Sequence, residues 1–206
     1  MKRIFSILLL VAATSAPTAR GQGNTPSGTW GFVNTRYDTR SSVSIYTGYG
    51  WHNVFAMGGV VHNPRTGNAE ILGGAGVVFK TWPHANHWLA FATARMGNDS
   101  YAQVYWLPTV RVRGVTVRAN AKLTIPYEGS APSRLSVSPL SVTHALNRHL
   151  AAGVAVDMVA AERNRGSAGV GPELRLRLPG AVLVGDALYD ITSHGARQRV
   201  FLSLVF

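Results

Sequence analysis

The sequence contains no cysteine in 206 residues. That absence excludes a disulfide scaffold and any thiolate-bound metal. Charge is scarce too. Only 14% of residues are charged, and of 20 basic side chains just three are lysines, Lys2, Lys80 and Lys122. No basic run exceeds two residues. Nucleic-acid binders carry clustered Lys and Arg, so a formal net charge of +11 does not read here as a nucleic-acid footprint. There is no apolar run of about 20 residues, the length a membrane-crossing helix needs. No window of the chain beyond the first 28 residues shows the 3.6-residue apolar period of an amphipathic helix. Apolar residues are plentiful at 46%, which excludes disorder.

The first 21 residues read as a signal peptide. Met1-Lys2-Arg3 is a positive start, Ile4 to Ala13 is apolar except for Ser6, and small residues follow up to Ala19-Arg20-Gly21. That three-part order marks an export signal. Cleavage after Gly21 satisfies the small-x-small rule and lowers the net charge to +8, because 1–21 carries three bases and no acid. Residues 22–28 form a polar Gly/Pro/Ser/Asn lead-in.

The rest alternates with period two, the mark of β-strands. Val115, Val117, Ala119, Ala121, Leu123 and Ile125 share one face, while Thr116, Arg118, Asn120, Lys122 and Thr124 share the other. Leu174, Leu176 and Leu178 alternate with Glu173, Arg175 and Arg177. Short connections, such as Arg113-Gly114 and Pro179-Gly180, alternate with longer polar ones. This divides 29–206 into about twelve strands, at 29–37, 43–49, 54–61, 69–81, 87–97, 101–112, 115–126, 134–146, 149–161, 169–178, 181–191 and 197–206. The third lacks clean alternation. In the eighth, Leu135 and Val137 change phase with Leu140 and Val142 across Pro139, which predicts a bulge. Merging either strand with a neighbour would leave ten or eight.

A soluble sandwich has the same period, so other features decide which face is wet. The chain carries an export signal, its polar phase is rich in Arg, Lys, Asn and Thr, and its apolar phase is uniform. It ends in Arg199-Val200-Phe201-Leu202-Ser203-Leu204-Val205-Phe206, with Val200, Leu202, Leu204 and Phe206 in one phase. This terminal strand resembles the C-terminal signature of Gram-negative outer-membrane β-barrels. The resemblance implies an all-β, antiparallel up-and-down transmembrane barrel over 29–206, located in the bacterial outer membrane. It also implies that Val200, Leu202, Leu204 and Phe206 serve as the signal read by the barrel-assembly machinery. Barrel physics agrees. Every backbone polar group must be paired in lipid, so the sheet must close, and twelve satisfies the even strand number of bacterial barrels. The short connections then face the periplasm. Trp30, Trp51, Trp82 and Trp88 would form an inner aromatic girdle, and Tyr37, Tyr127 and Tyr189 an outer one.

With the apolar phase against lipid, the other phase lines the lumen. Its bases are Arg36, Lys80, Arg95, Arg111, Arg113, Arg118, Lys122, Arg175, Arg177 and Arg199. Its acids are Glu70, Asp157, Glu173, Asp186 and Asp190. Arginine-rich linings favour anions. In size and charge the chain is similar to the small porins for acidic oligosaccharides, although no diagnostic motif of theirs is present. The expected function is a porin-like, anion-favouring passive channel for small polar or acidic solutes. The alternative is a closed structural or surface-interaction barrel with an ion-paired lumen. A second basic set, Arg40, Arg65, Arg134, Arg163, Arg165 and Arg197, falls in the outer loops, where it could meet outer-membrane lipid and the phosphates of lipopolysaccharide.

An enzyme is the remote alternative. The candidates Ser141, His144, Asn147 and His149 do not match the His–Ser–Asn arrangement of outer-membrane phospholipases or the His-x-Ser motif of lipid A deacylases. His62, His87 and His194 lack a serine or carboxylate partner in the sequence. No histidine pair has metal-ligand spacing on a strand. The sequence therefore predicts no catalytic residue, no metal, no cofactor and no nucleic-acid partner.

Overall fold

The computed structural model describes residues 28–39, 42–162 and 164–206. The expected signal peptide and all of the lead-in except Gly28 lie outside them. Twelve strands follow one another: β1 (Thr29–Asp38), β2 (Ser42–Trp51), β3 (Val54–His62), β4 (Ala69–Trp82), β5 (Ala85–Met96) and β6 (Asp99–Val112). They continue with β7 (Val115–Glu128), β8 (Arg134–Ala145), β9 (Leu150–Ala161), β10 (Asn164–Leu178), β11 (Ala181–Asp190) and β12 (Gly195–Val205). Each strand pairs antiparallel with its sequence neighbour, and β1 pairs with β12, so the sheet closes into a barrel. Closure removes the open edges that neither water nor lipid could satisfy in a membrane.

The outward face is the apolar one. On β7, Val115, Val117, Leu123 and Ile125 are exposed while Thr116 and Thr124 are buried. Ile71, Phe91, Trp106, Val154 and Leu174 likewise point out. The fully buried side chains include Arg175, Arg199, Glu173 and Asp157. A soluble protein has the reverse arrangement. The barrel is therefore built to sit in lipid and keep its polar phase inside.

The phase change at Pro139 is present. The β8–β9 register shifts between Val137 and Leu140, and the β7–β8 register shifts between Ala119 and Ala121. β3 is a full strand whose irregular alternation reflects Gly58 and Gly59 in mid-strand. The expected difference in loop length is smaller than the sequence suggests. β5 and β6 are joined by 97–98 and β9 and β10 by 162–163, because polar strand ends extend into what read as loops. The longest connections, 63–68 and 129–133, still lie at the end opposite the two-residue turns 52–53, 83–84, 113–114 and 179–180.

The seam is well made. Gly31 N–H donates to the Phe206 carbonyl (2.7 Å) and Phe206 N–H to the Gly31 carbonyl (3.0 Å). The Phe206 ring covers Gly31, where a Cβ would collide with it. Of the expected girdles, Trp51, Trp82, Tyr37, Tyr127 and Tyr189 are exposed. Trp30 and Trp88 are not girdle residues. Trp30 is buried in the lumen, and Trp88 packs against it.

Candidate functional site: the barrel lumen

The lumen holds an apolar patch and a charged remainder. The apolar patch is carried by β1, β3 and β5. Trp30, Phe32, Phe55 and Trp88 stack inside the short-turn end, with ring centroids 5.2 to 6.1 Å apart. The Trp30 indole N–H donates to the His52 carbonyl at 2.8 Å. These rings lie flat on glycine. A Cβ at Gly50 would strike the Trp30 indole, and one at Gly48 the Phe32 ring. Beyond Trp88, β5 turns the small residues Ala90, Ala92 and Ala94 inward, all buried.

That packing explains one misplaced residue. Arg95 reads from the sequence as lumen-lining, yet its register partner is Ile71, which is 64% exposed. Arg95 stands on the outer face and donates to the Gly97 carbonyl at 3.2 Å. Arg113 also leaves the lumen, because it sits in a turn with φ of 49°. Arg197, by contrast, enters it. Read as a loop residue, it pairs with Asp157 and lies 3.8 Å from Asp38. Arg40 and Arg163 lie outside the described residues.

Most of the lumen's charges lie on β7 to β12, joined by Arg36 and Asp38 on β1, Glu70 on β4 and Arg111 on β6. Toward the long-loop end a dense network fills the interior. Arg199 donates to both Asp186 oxygens at 2.8 Å, to Asp157 Oδ1 at 2.9 Å and to Ser138 Oγ at 2.8 Å. Such bidentate, charge-assisted bonds are strong and directional. Arg36 pairs with Asp38 at 3.1 Å. On the facing side Glu70 accepts from Gln103 (2.8 Å), Tyr105 donates to Gln103 (2.5 Å), and Lys122 lies 3.9 Å from Glu70. Ser138, Gln103 and Tyr105 are uncharged and carry no sequence motif. Strand phase alone would have found them. Asp190 is buried, and its Oδ1 accepts the Thr192 and Ser193 amides, so it also holds the β11–β12 turn.

The short-turn end differs. Arg175 donates to Glu173 Oε1 at 2.6 Å, and Arg118 reaches the same oxygen at 3.6 Å. Arg111 and Arg177 lie within electrostatic reach of both arginines. Four guanidiniums thus share one carboxylate. Arg113 and Arg148 add charge in the turns, and Lys80 does so at the end of β4. No acid lies at this end among the described residues. The nearest, Glu173 and Asp186, are register partners at mid-barrel. The excess positive charge is therefore segregated to one mouth.

The enzyme candidates do not converge. Ser141 is 1% exposed inside the barrel, whereas His144 is exposed in the opposite strand phase. Asn147 shapes its turn, its Oδ1 accepting the His149 and Leu150 amides at 2.8 Å. His149 Nδ1 lies 3.2 Å from the Arg177 carbonyl. Outside the barrel, the His87 ring stacks between Phe79 and Trp106. No cluster of three potential metal ligands occurs among the described residues.

No family model matches the chain, and no curated protein does. Solved structures do. A KdgM porin is similar with a TM-score of 0.59 at 9% identity, covering 85% of this chain and 99% of its own. The KdgM porin in complex with disordered oligogalacturonate gives 0.61 at 8%, covering 86% and 99%. The NanC porin gives 0.56 at 10%, covering 84% and 98%. The autotransporter translocator domain NalP from Neisseria meningitidis gives 0.53 at 9%, over all of this chain and 95% of its own. With its closed sheet, apolar outer face and polar interior, the chain has the porin-like fold of the bacterial outer-membrane β-barrels.

Proposed function

We propose that the barrel is a narrow, anion-favouring passive channel of the outer membrane for small acidic or polar solutes. The observation that carries this reading is the uncompensated arginine cluster at the short-turn mouth. That end faces the periplasm in bacterial barrels. Guanidinium remains charged at all physiological pH and binds carboxylate and phosphate through a planar fork. Positively lined constrictions admit anions and repel cations. The likeness to the KdgM porin, seen with oligogalacturonate, and to the NanC porin supports a channel in this fold class. The test is single-channel recording in a planar bilayer under a potassium chloride gradient. A reversal potential on the chloride side is expected. In the variant R118E/K122E the preference should fall toward none. A cation-selective reversal potential would falsify the anion preference.

One observation favours a second reading. Side chains cross the lumen: Lys122 to Glu70 joins β7 and β4, Arg118 to Glu173 joins β7 and β10, and Arg199 to Ser138 joins β12 and β8. Such links can close a small barrel into a structural plug. Absence of any conductance from correctly folded protein would establish that reading and overturn the channel.

A further inference from the structure

Two neutralised or apolar zones bound the arginine cluster. The Arg199 network fills the lumen toward the long loops, and the Trp30 group fills the wall opposite. The free charge is compact and does not form a strip along the barrel. We propose that Arg111, Arg118, Arg175 and Arg177 form an oxyanion station at the short-turn end of the lumen, a binding site for a small dianion of the phosphate type. The proposal rests on the reading above that solutes enter this lumen, and it names the chemistry they meet there.

Three observations build the site. The first is charge. Glu173 is the one carboxylate among four guanidiniums, so the remaining positive charge suits a multiply charged anion better than chloride. The second is unused donors. The Nε–H groups of Arg111, Arg118 and Arg175 are buried without a hydrogen-bond partner in the protein. Arg175 itself is 2% exposed. Buried polar groups in proteins are nearly always satisfied, by protein, water or ligand. The Ser141 and Thr143 hydroxyls, each 1% exposed, are likewise without a partner. The third is the floor. Ser141 pairs in register with Arg118 and with Ala155, and Ala151 pairs with Arg175. The wall between the arginines on β7 and β10 is thus made of small side chains, with two hydroxyls beside the guanidiniums. Arg111 and Arg177 are only partly buried and keep the cluster open to the lumen.

The chemistry selects for phosphate over a halide. A tetrahedral oxyanion accepts several N–H and O–H donors at once, and arginine forks match its oxygen spacing. Chloride offers no such geometry.

The experiment titrates inorganic phosphate into the purified full-length barrel in detergent, in chloride buffer, by calorimetry. Saturable binding at roughly tenfold higher affinity than chloride is expected, a separation readily measured on an equilibrium scale. R111Q/R177Q leaves the Arg175–Glu173–Arg118 contacts in place and should weaken phosphate binding by roughly tenfold. Its folding is read by the heat-modifiable gel shift. If that pair does not fold, Arg177→Lys keeps the charge, removes the fork and should still lower the affinity severalfold. Phosphate binding no tighter than chloride, or unchanged in the folded variants, overturns the station. A barrel that binds phosphate without conducting overturns the channel and leaves the station. One that conducts anions without binding phosphate does the reverse.

Discussion

Arg199 shows what a single residue contributes inside this barrel. It is 1% exposed and joined to two aspartates and a serine on three other strands. Removing one partner of a buried ionic network leaves the others desolvated and unpaired, at a cost of about 3–5 kcal/mol. R199A should therefore lower stability by about that amount, read as an earlier urea midpoint for unfolding from lipid vesicles. Removing Asp186 as well, in D186N/R199M, should recover part of the loss, since the remaining apolar stem still packs and fewer charges are stranded. The sequence places Arg199 and Asp186 on adjacent strands of one face. Their bidentate pairing depends on register, which alternation alone does not supply. Arg95 and Trp30 depart from their expected faces for a related reason. Along 90–94 of β5 the inward residues are alanines, so polarity there cannot say which phase is inside. Trp30 sits where a girdle residue would, but glycine on the next strand gives it room to turn inward.

At the scale of strands, β8 carries the most information per residue. Its bulge lets Leu135 and Val137 face lipid before Pro139 and Leu140 and Val142 face lipid after it. Deleting Pro139 would remove the extra residue and leave Val137, Ser138 and Leu140 in strict alternation, so Val142 stays outward and Ser141 and Thr143 inward. The deletion should keep the heat-modifiable band of the folded barrel on a gel, whereas inserting one residue after Leu140 sends every later side chain of the strand to the wrong face and should abolish it. Strand number and the position of this bulge were legible because lipid imposes a strict apolar phase on one face. Strand ends were less legible. Beyond the lipid layer the strands stay paired but become polar, so Asn164 to Ala168 reads as loop and folds as the start of β10.

The whole molecule is electrically lopsided. The acids gather toward the long loops and mid-barrel, while Arg111, Arg113, Arg148 and Arg177 crowd the other mouth. A channel with this profile should pass current unequally in the two directions, with the sense of the asymmetry following the orientation of insertion. The effect should shrink on going from about 0.1 M to about 1 M salt, as the screening length falls from roughly 10 Å to 3 Å. Recording the current–voltage curve at both salts checks this, and a symmetric curve at low salt would contradict it. The net positive charge was plain in the composition. Its segregation was not, because it appears only when alternate strands, running in opposite directions, are laid side by side.

The seam between β1 and β12 also says something about time. β1 can pair with β2 as soon as both exist, but its other edge waits for the final strand, and the last two bonds wait for Phe206 itself. Any stretch that stops short of β12 leaves β1 and β11 each with an open strand edge, which lipid cannot satisfy. The two strands that close the ring are thus the two farthest apart along the chain, and neither edge is protected until both are in place.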